Sequence, residues 1–138
     1  MLRFYKVFIP AFLAYAITWC AAWFLLRFGS GEWLGSLFGS LIFVAGLGWG
    51  FGNYRGFVRA SVVLFGLHSA GYFLGGQSMR WISGTEGVAL FEGASKAQIS
   101  ILAKLSWGLL YGLGFGAGIG YAFNILQRER EAAPTASE

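Results

Sequence analysis

A chain of 138 residues that is 57% hydrophobic and 12% charged lies outside the range of soluble domains, which carry about 25% charged residues. Its formal charge of +4 comes from lysines and arginines at the ends of apolar segments, which points to anionic lipid headgroups and away from nucleic acid. There is no aspartate, and His68 and Cys20 are each the sole residue of their type, which argues against magnesium-dependent phosphotransfer, an intrachain disulfide and a metal site built from one chain.

The first apolar segment, residues 7–26, follows Arg3 and Lys6 and holds no charge. At 20 residues it exceeds a signal-peptide core of ~7–15 residues, and is read as a retained transmembrane helix. Trp19 beside Cys20 argues against a lipidation site, and Cys20 is expected to act as a small buried hydrophobe. Pro10 is expected in the opening turn, where a missing N–H is tolerated. Tyr15, Trp19 and Trp23 recur at four-residue spacing, a stripe expected to face acyl chains or fill the bundle, with a grip on a lipid, sterol or pigment as the alternative.

The second segment is residues 33–52. The third, residues 60–76, is shorter, with Arg59 placed to snorkel at one end. An outer loop, residues 77–94, follows. Its apolar centre at Val88, Ala89, Leu90 and Phe91 comes after capping-box spacing at Ser83 and Glu86. A short interfacial helix and a plain connector both fit it.

The fourth segment, residues 105–126, holds no charge and carries Gly108, Gly112, Gly116 and Gly120 at four-residue spacing. Glycine costs about 1 kcal/mol relative to alanine in a water-exposed helix. In lipid, the same glycines make a flat strip on which another helix packs closely. Ser95 and Gln98 form capping-box spacing, so this helix is expected to start near Lys96 and to run past Arg128 and Glu131. Residues 132–138 read as a disordered tail. The domain is thus residues 1–131.

The expected fold is an all-α integral membrane protein of four transmembrane helices in a compact glycine-packed bundle. The run from Gly46 to Gly52 echoes that from Gly112 to Gly118. Two parallel two-helix repeats, or glycine-rich composition alone, account for the echo. Gly46 and Gly50 make the second helix the expected mate of the fourth. Glycines two apart also put small residues on opposite faces of the fourth helix, so a partner chain can grip it as well.

With four spans, one side holds Arg3, Lys6, Arg55, Arg59, Arg128 and Arg130, and the other holds Arg27, Arg80, Lys96 and Lys104. This bias favours cytoplasmic termini, and a bacterial inner membrane is the expected location. Trp33, Trp81, Trp107, Tyr5, Tyr54 and Tyr121 sit near segment ends, as an interfacial belt does.

His68, near the middle of the third segment, is a candidate ligand or pore residue. A hydrogen bond to a hydroxyl such as that of Tyr72 is the structural alternative. Lys104 continues the glycine row outward and is the second candidate, at a pore mouth. No carboxylate lies within a span, the glycine runs lack a following Gly-Lys-Ser/Thr, and no nucleophile–base set can be assembled. The expectation is a non-catalytic protein without cofactor or metal: an assembly or accessory subunit of a membrane complex, contacting lipids and other subunits or copies of itself through glycine. The alternatives are a homo-oligomeric channel or facilitator lined by His68, Ser61, Ser69 and Lys104, or a lipid- or pigment-binding membrane protein.

Overall fold

A hydrocarbon layer offers no water to backbone N–H and C=O groups, so a spanning segment must pair them internally, as a helix does. The computed structural model describes residues 2–26 and 29–131. Its five helices are α1 (Leu2–Leu25), α2 (Gly29–Phe51), α3 (Phe57–Ser83), α4 (Thr85–Leu90) and α5 (Lys96–Glu131), with no strand among the described residues. Four stretches are long and apolar enough to cross a membrane: Tyr5–Leu25, Ser30–Phe51, Phe57–Ser83 and Lys96–Arg128. Arg27 and the tail at 132–138 lie outside the described residues.

Two local expectations are corrected in α1. The helix begins at Leu2, so Pro10 lies inside it and not in its opening turn. Its missing N–H withholds the usual donor from the Lys6 carbonyl. Cys20 is exposed on α1 and not buried.

The chain divides into two compact units, residues up to 66 together with those from 118 onward, and residues 67–117. In the first unit α1 and α2 form an antiparallel pair. The glycines of α2 face α1: a Cβ on Gly39 would come within 2.9 Å of the Tyr15 ring, and one on Gly46 within 2.9 Å of the Ala11 Cβ. Gly50 abuts Val7 in the same way. The mate of Gly46 and Gly50 is therefore α1, not α5. The reason is that α1 supplies the small Ala11 and the slender Val7 opposite them. Tyr15 is buried there, edge-on to Phe43 with ring centroids 6.4 Å apart. Trp19 stacks on Trp23, whose ring stays exposed.

α2 ends in a Schellman motif. Gly52, at φ 64°, donates its N–H to the Trp49 carbonyl (3.1 Å), and Asn53 donates to the Gly48 carbonyl (2.9 Å). The Asn53 side chain then accepts from the Arg55 N–H (2.9 Å) and donates to the Leu126 carbonyl of α5 (2.9 Å). Phe43, Val44, Leu47, Ala60, Leu64, Ala122 and Leu126 form the fully enclosed core of this unit. Arg59 lies over the Tyr121 ring, 5.8 Å from its centroid.

In the second unit α3 does not stop at Gly76 but runs to Ser83. Gly75, next to the expected end of the segment at 76, sits against Trp107, where a Cβ would meet the Trp107 carbonyl at 2.9 Å. The added turns are held by a bond between the Ser78 and Ser106 hydroxyls (2.9 Å) and by a cluster of Ile82, Ile99, Ala103 and Phe91. The expected outer loop is thus the last turns of α3, the six-residue α4 and a turn with Gly93 at φ 90°.

The two cap motifs part ways. Ser95 and Gln98 cap α5 reciprocally, Gln98 N–H to Ser95 Oγ at 3.3 Å and Ser95 N–H to Gln98 Oε1 at 2.8 Å. Ser83 and Glu86 form no capping box. The N-cap of α4 is Gly84, and Glu86 accepts instead from the Trp81 indole (3.1 Å).

Asn53→Ala removes both side-chain bonds that join the α2–α3 turn to α5. It is expected to lower stability by about 1–2 kcal/mol, read by detergent-titrated unfolding followed by circular dichroism.

Candidate functional site

α5 is a helix with two different faces. Glycines two apart differ by roughly 200° around the axis at 3.6 residues per turn, so they point to opposite sides. On one side Gly114 sits on α3, where a Cβ would meet the Gly71 Cα at 2.9 Å and would also strike the Leu67 carbonyl. Gly118 lies against Leu64, where the nearest atom would be 2.7 Å away. On the other side, no described residue comes within 4 Å of where a side chain on Gly108, Gly112, Gly116 or Gly120 would begin.

The four-residue row of glycines is therefore the open one. Alongside it, one residue on in each turn, Leu105, Leu109 and Leu113 are 65%, 64% and 61% exposed. A leucine ridge beside a glycine groove is the relief that ridges-into-grooves packing uses. Lys104 is exposed on the same face, one turn before Gly108.

Gly46 and Gly50, read with this row as packing residues, are held by α1 as described above. The echoed runs thus place glycines in unlike surroundings. Gly46 and Gly50 abut a neighbouring helix, while the matching Gly112 and Gly116 face outward.

His68 is fully buried. It lies one turn before Tyr72 on α3, facing a row of aromatic rings on α5. Trp107 and Tyr111 stack at 5.5 Å and 9°, and Tyr111 and Phe115 at 5.8 Å and 11°. The imidazole meets Tyr111 at 5.3 Å and Phe115 at 5.1 Å, and Tyr72 meets Trp107 and Tyr111 edge-on at 6.1 Å. The two helices come this close because Gly71 has no side chain: a Cβ there would lie 2.7 Å from the Leu110 carbonyl.

The i, i+4 spacing of Trp107, Tyr111 and Phe115 was visible in the sequence as a stripe, but Trp107 also fits an interfacial belt. Only the contact with α3 distinguishes the two.

His68 and Lys104 are not brought together: one is enclosed by rings and the other is exposed. Ser61 and Ser69 are buried, and their hydroxyls have no hydrogen-bond partner among the described residues. Among the described residues no three His, Cys, Asp or Glu side chains cluster as metal ligands would. Comparison with family models, curated proteins and solved structures finds no match.

His68→Ala strips the contacts with two rings and is expected to destabilise by about 1–3 kcal/mol, while His68→Phe retains most of the packing. Detergent-titrated unfolding of the two variants beside the parent checks this. Equal loss in both would point to a polar role for the imidazole.

Proposed function

We propose that this chain is a non-catalytic assembly or accessory subunit of a membrane complex, docking to a partner helix through the outward face of α5. One observation carries the reading. A Cβ added at Gly108, Gly112, Gly116 or Gly120 would meet no described residue of another helix within 4 Å, although α5 uses Gly114 and Gly118 for contacts within the chain.

A glycine has no packing value against fluid acyl chains, and it weakens a helix that touches nothing firmer. Four of them in register, beside three exposed leucines, suit a helix surface that lets another backbone approach closely. The partner would lay its own side chains into the glycine groove and receive Leu105, Leu109 and Leu113 against its surface. In this reading both termini are cytoplasmic, and Lys104 sits at the opposite headgroup level. The enclosure of His68 away from Lys104 favours docking over a channel whose pathway would need both.

Gly112→Leu and Gly116→Leu are expected to lower the associated fraction at least tenfold, a change of about 1.4 kcal/mol or more, while leaving helicity unchanged. Native mass spectrometry of protein gently extracted from its own membrane reads this. Gly114→Leu, on the occupied face, is expected to disturb the chain's own fold. Normal assembly by both outward variants would remove the proposal.

A further inference from the structure

A groove of about 210 Å³ opens between α1 and α2. Pro10, Ala11 and Ala14 of α1 and Ile42 and Gly46 of α2 form its apolar walls, and Lys6 and Trp49 stand at its mouth. We propose that this groove holds one acyl chain of an anionic phospholipid, with the lipid phosphate on the Lys6 ammonium.

The volume is too small to enclose a helix and suits a single hydrocarbon chain. From Lys6 to Ala14 the groove runs about 12 Å, and a helix of that length and ~10 Å diameter would fill ~900 Å³. The apolar walls offer a hydrocarbon chain no polar partner, so they contribute dispersion contact and not recognition.

Recognition comes from the mouth. Among the described residues, Lys6 is the only charged one lining the groove. It lies next to Tyr5, where the apolar stretch of α1 begins, and Trp49 lies two residues before the end of the α2 stretch at Phe51. Both therefore stand at the level of the headgroups, where an exposed lysine reaches phosphate and an indole prefers to sit. Trp49 is 80% exposed, so its ring is free to flank a headgroup.

The backbone adds a second handle. Pro10 supplies no N–H to the Lys6 carbonyl, which therefore lacks its i+4 donor. A headgroup bearing a hydroxyl, such as phosphatidylglycerol, can donate to it while its phosphate meets the ammonium.

The test is retention of lipid by the full chain. Protein reconstituted in phosphatidylcholine vesicles containing a minority of phosphatidylglycerol is released in mild detergent, and bound lipid is counted by native mass spectrometry. The parent is expected to keep one phosphatidylglycerol per chain in preference to phosphatidylcholine. Lys6→Gln is expected to lose it several-fold, as is Ala14→Trp, which fills the groove. Arg55→Gln, a loss of one charge outside the groove, is expected to retain it. Equal retention of both lipids by the parent overturns the proposal, as does unchanged retention in Lys6→Gln. Equal loss in Arg55→Gln also overturns it, because a diffuse positive surface would then be the cause. Helicity and elution volume of Ala14→Trp show whether it is folded, and Lys6→Gln, on an exposed side chain, decides the matter without it.

Discussion

Two helices in a bilayer gain nothing from hiding apolar surface, because the lipid around them is equally apolar. They stay together only where they touch more closely than acyl chains can touch either of them. Several contacts between the long helices of this chain fit that constraint. α2 meets α1 along Gly39, Gly46 and Gly50, and α5 meets α3 where Gly114 faces Gly71. At each place a side chain as small as a methyl group would strike a neighbour. The polar contacts, such as the Ser78–Ser106 pair and the Asn53 bonds, then hold a register that the close approach has already made possible.

The same constraint gives His68 its surroundings. An ionisable side chain in a span faces the bundle interior and not lipid, and the approach of α3 to α5 at Gly71 closes Tyr111 and Phe115 over His68. The aromatic row on α5 is continuous because Trp107, Tyr111 and Phe115 recur every four residues.

What could be read from the residues was the part governed by local chemistry. Uninterrupted apolar runs marked the four long helices, and Ser95 with Gln98 marked where α5 starts. The same kind of local signal failed at Ser83 and Glu86, because Trp81 competes for the Glu86 carboxylate, and the apolar run ending at 76 fell short of the helix end at Ser83, where Gly75 packs on Trp107 within a continuing helix. The direction each glycine faces was beyond local reading. Gly112 and Gly114 have nearly identical flanks, and only the position of α3 makes one an inner residue and the other an outer one. For the same reason the pairing of α2 with α1 depended on Ala11 and Val7, residues whose importance appears only once a glycine lies opposite them.

The two ends of α5 are both tied down. Near its start Ile99 and Ala103 are buried with Ile82, and near its far end Leu126 is buried and its carbonyl accepts from Asn53. At 36 residues the helix is about 54 Å long, more than a bilayer's full thickness of roughly 40–45 Å. It is held at both ends and, through Gly114 and Gly118, against α3 between them, and the open glycine row lies on its opposite face. Such a surface has already lost its conformational freedom before anything meets it. A helix arriving by lateral diffusion would find the groove ready-made and forfeit only its own rotation and translation, so the lifetime of the encounter would be set by how well the leucines interlock rather than by any need for α5 to rearrange.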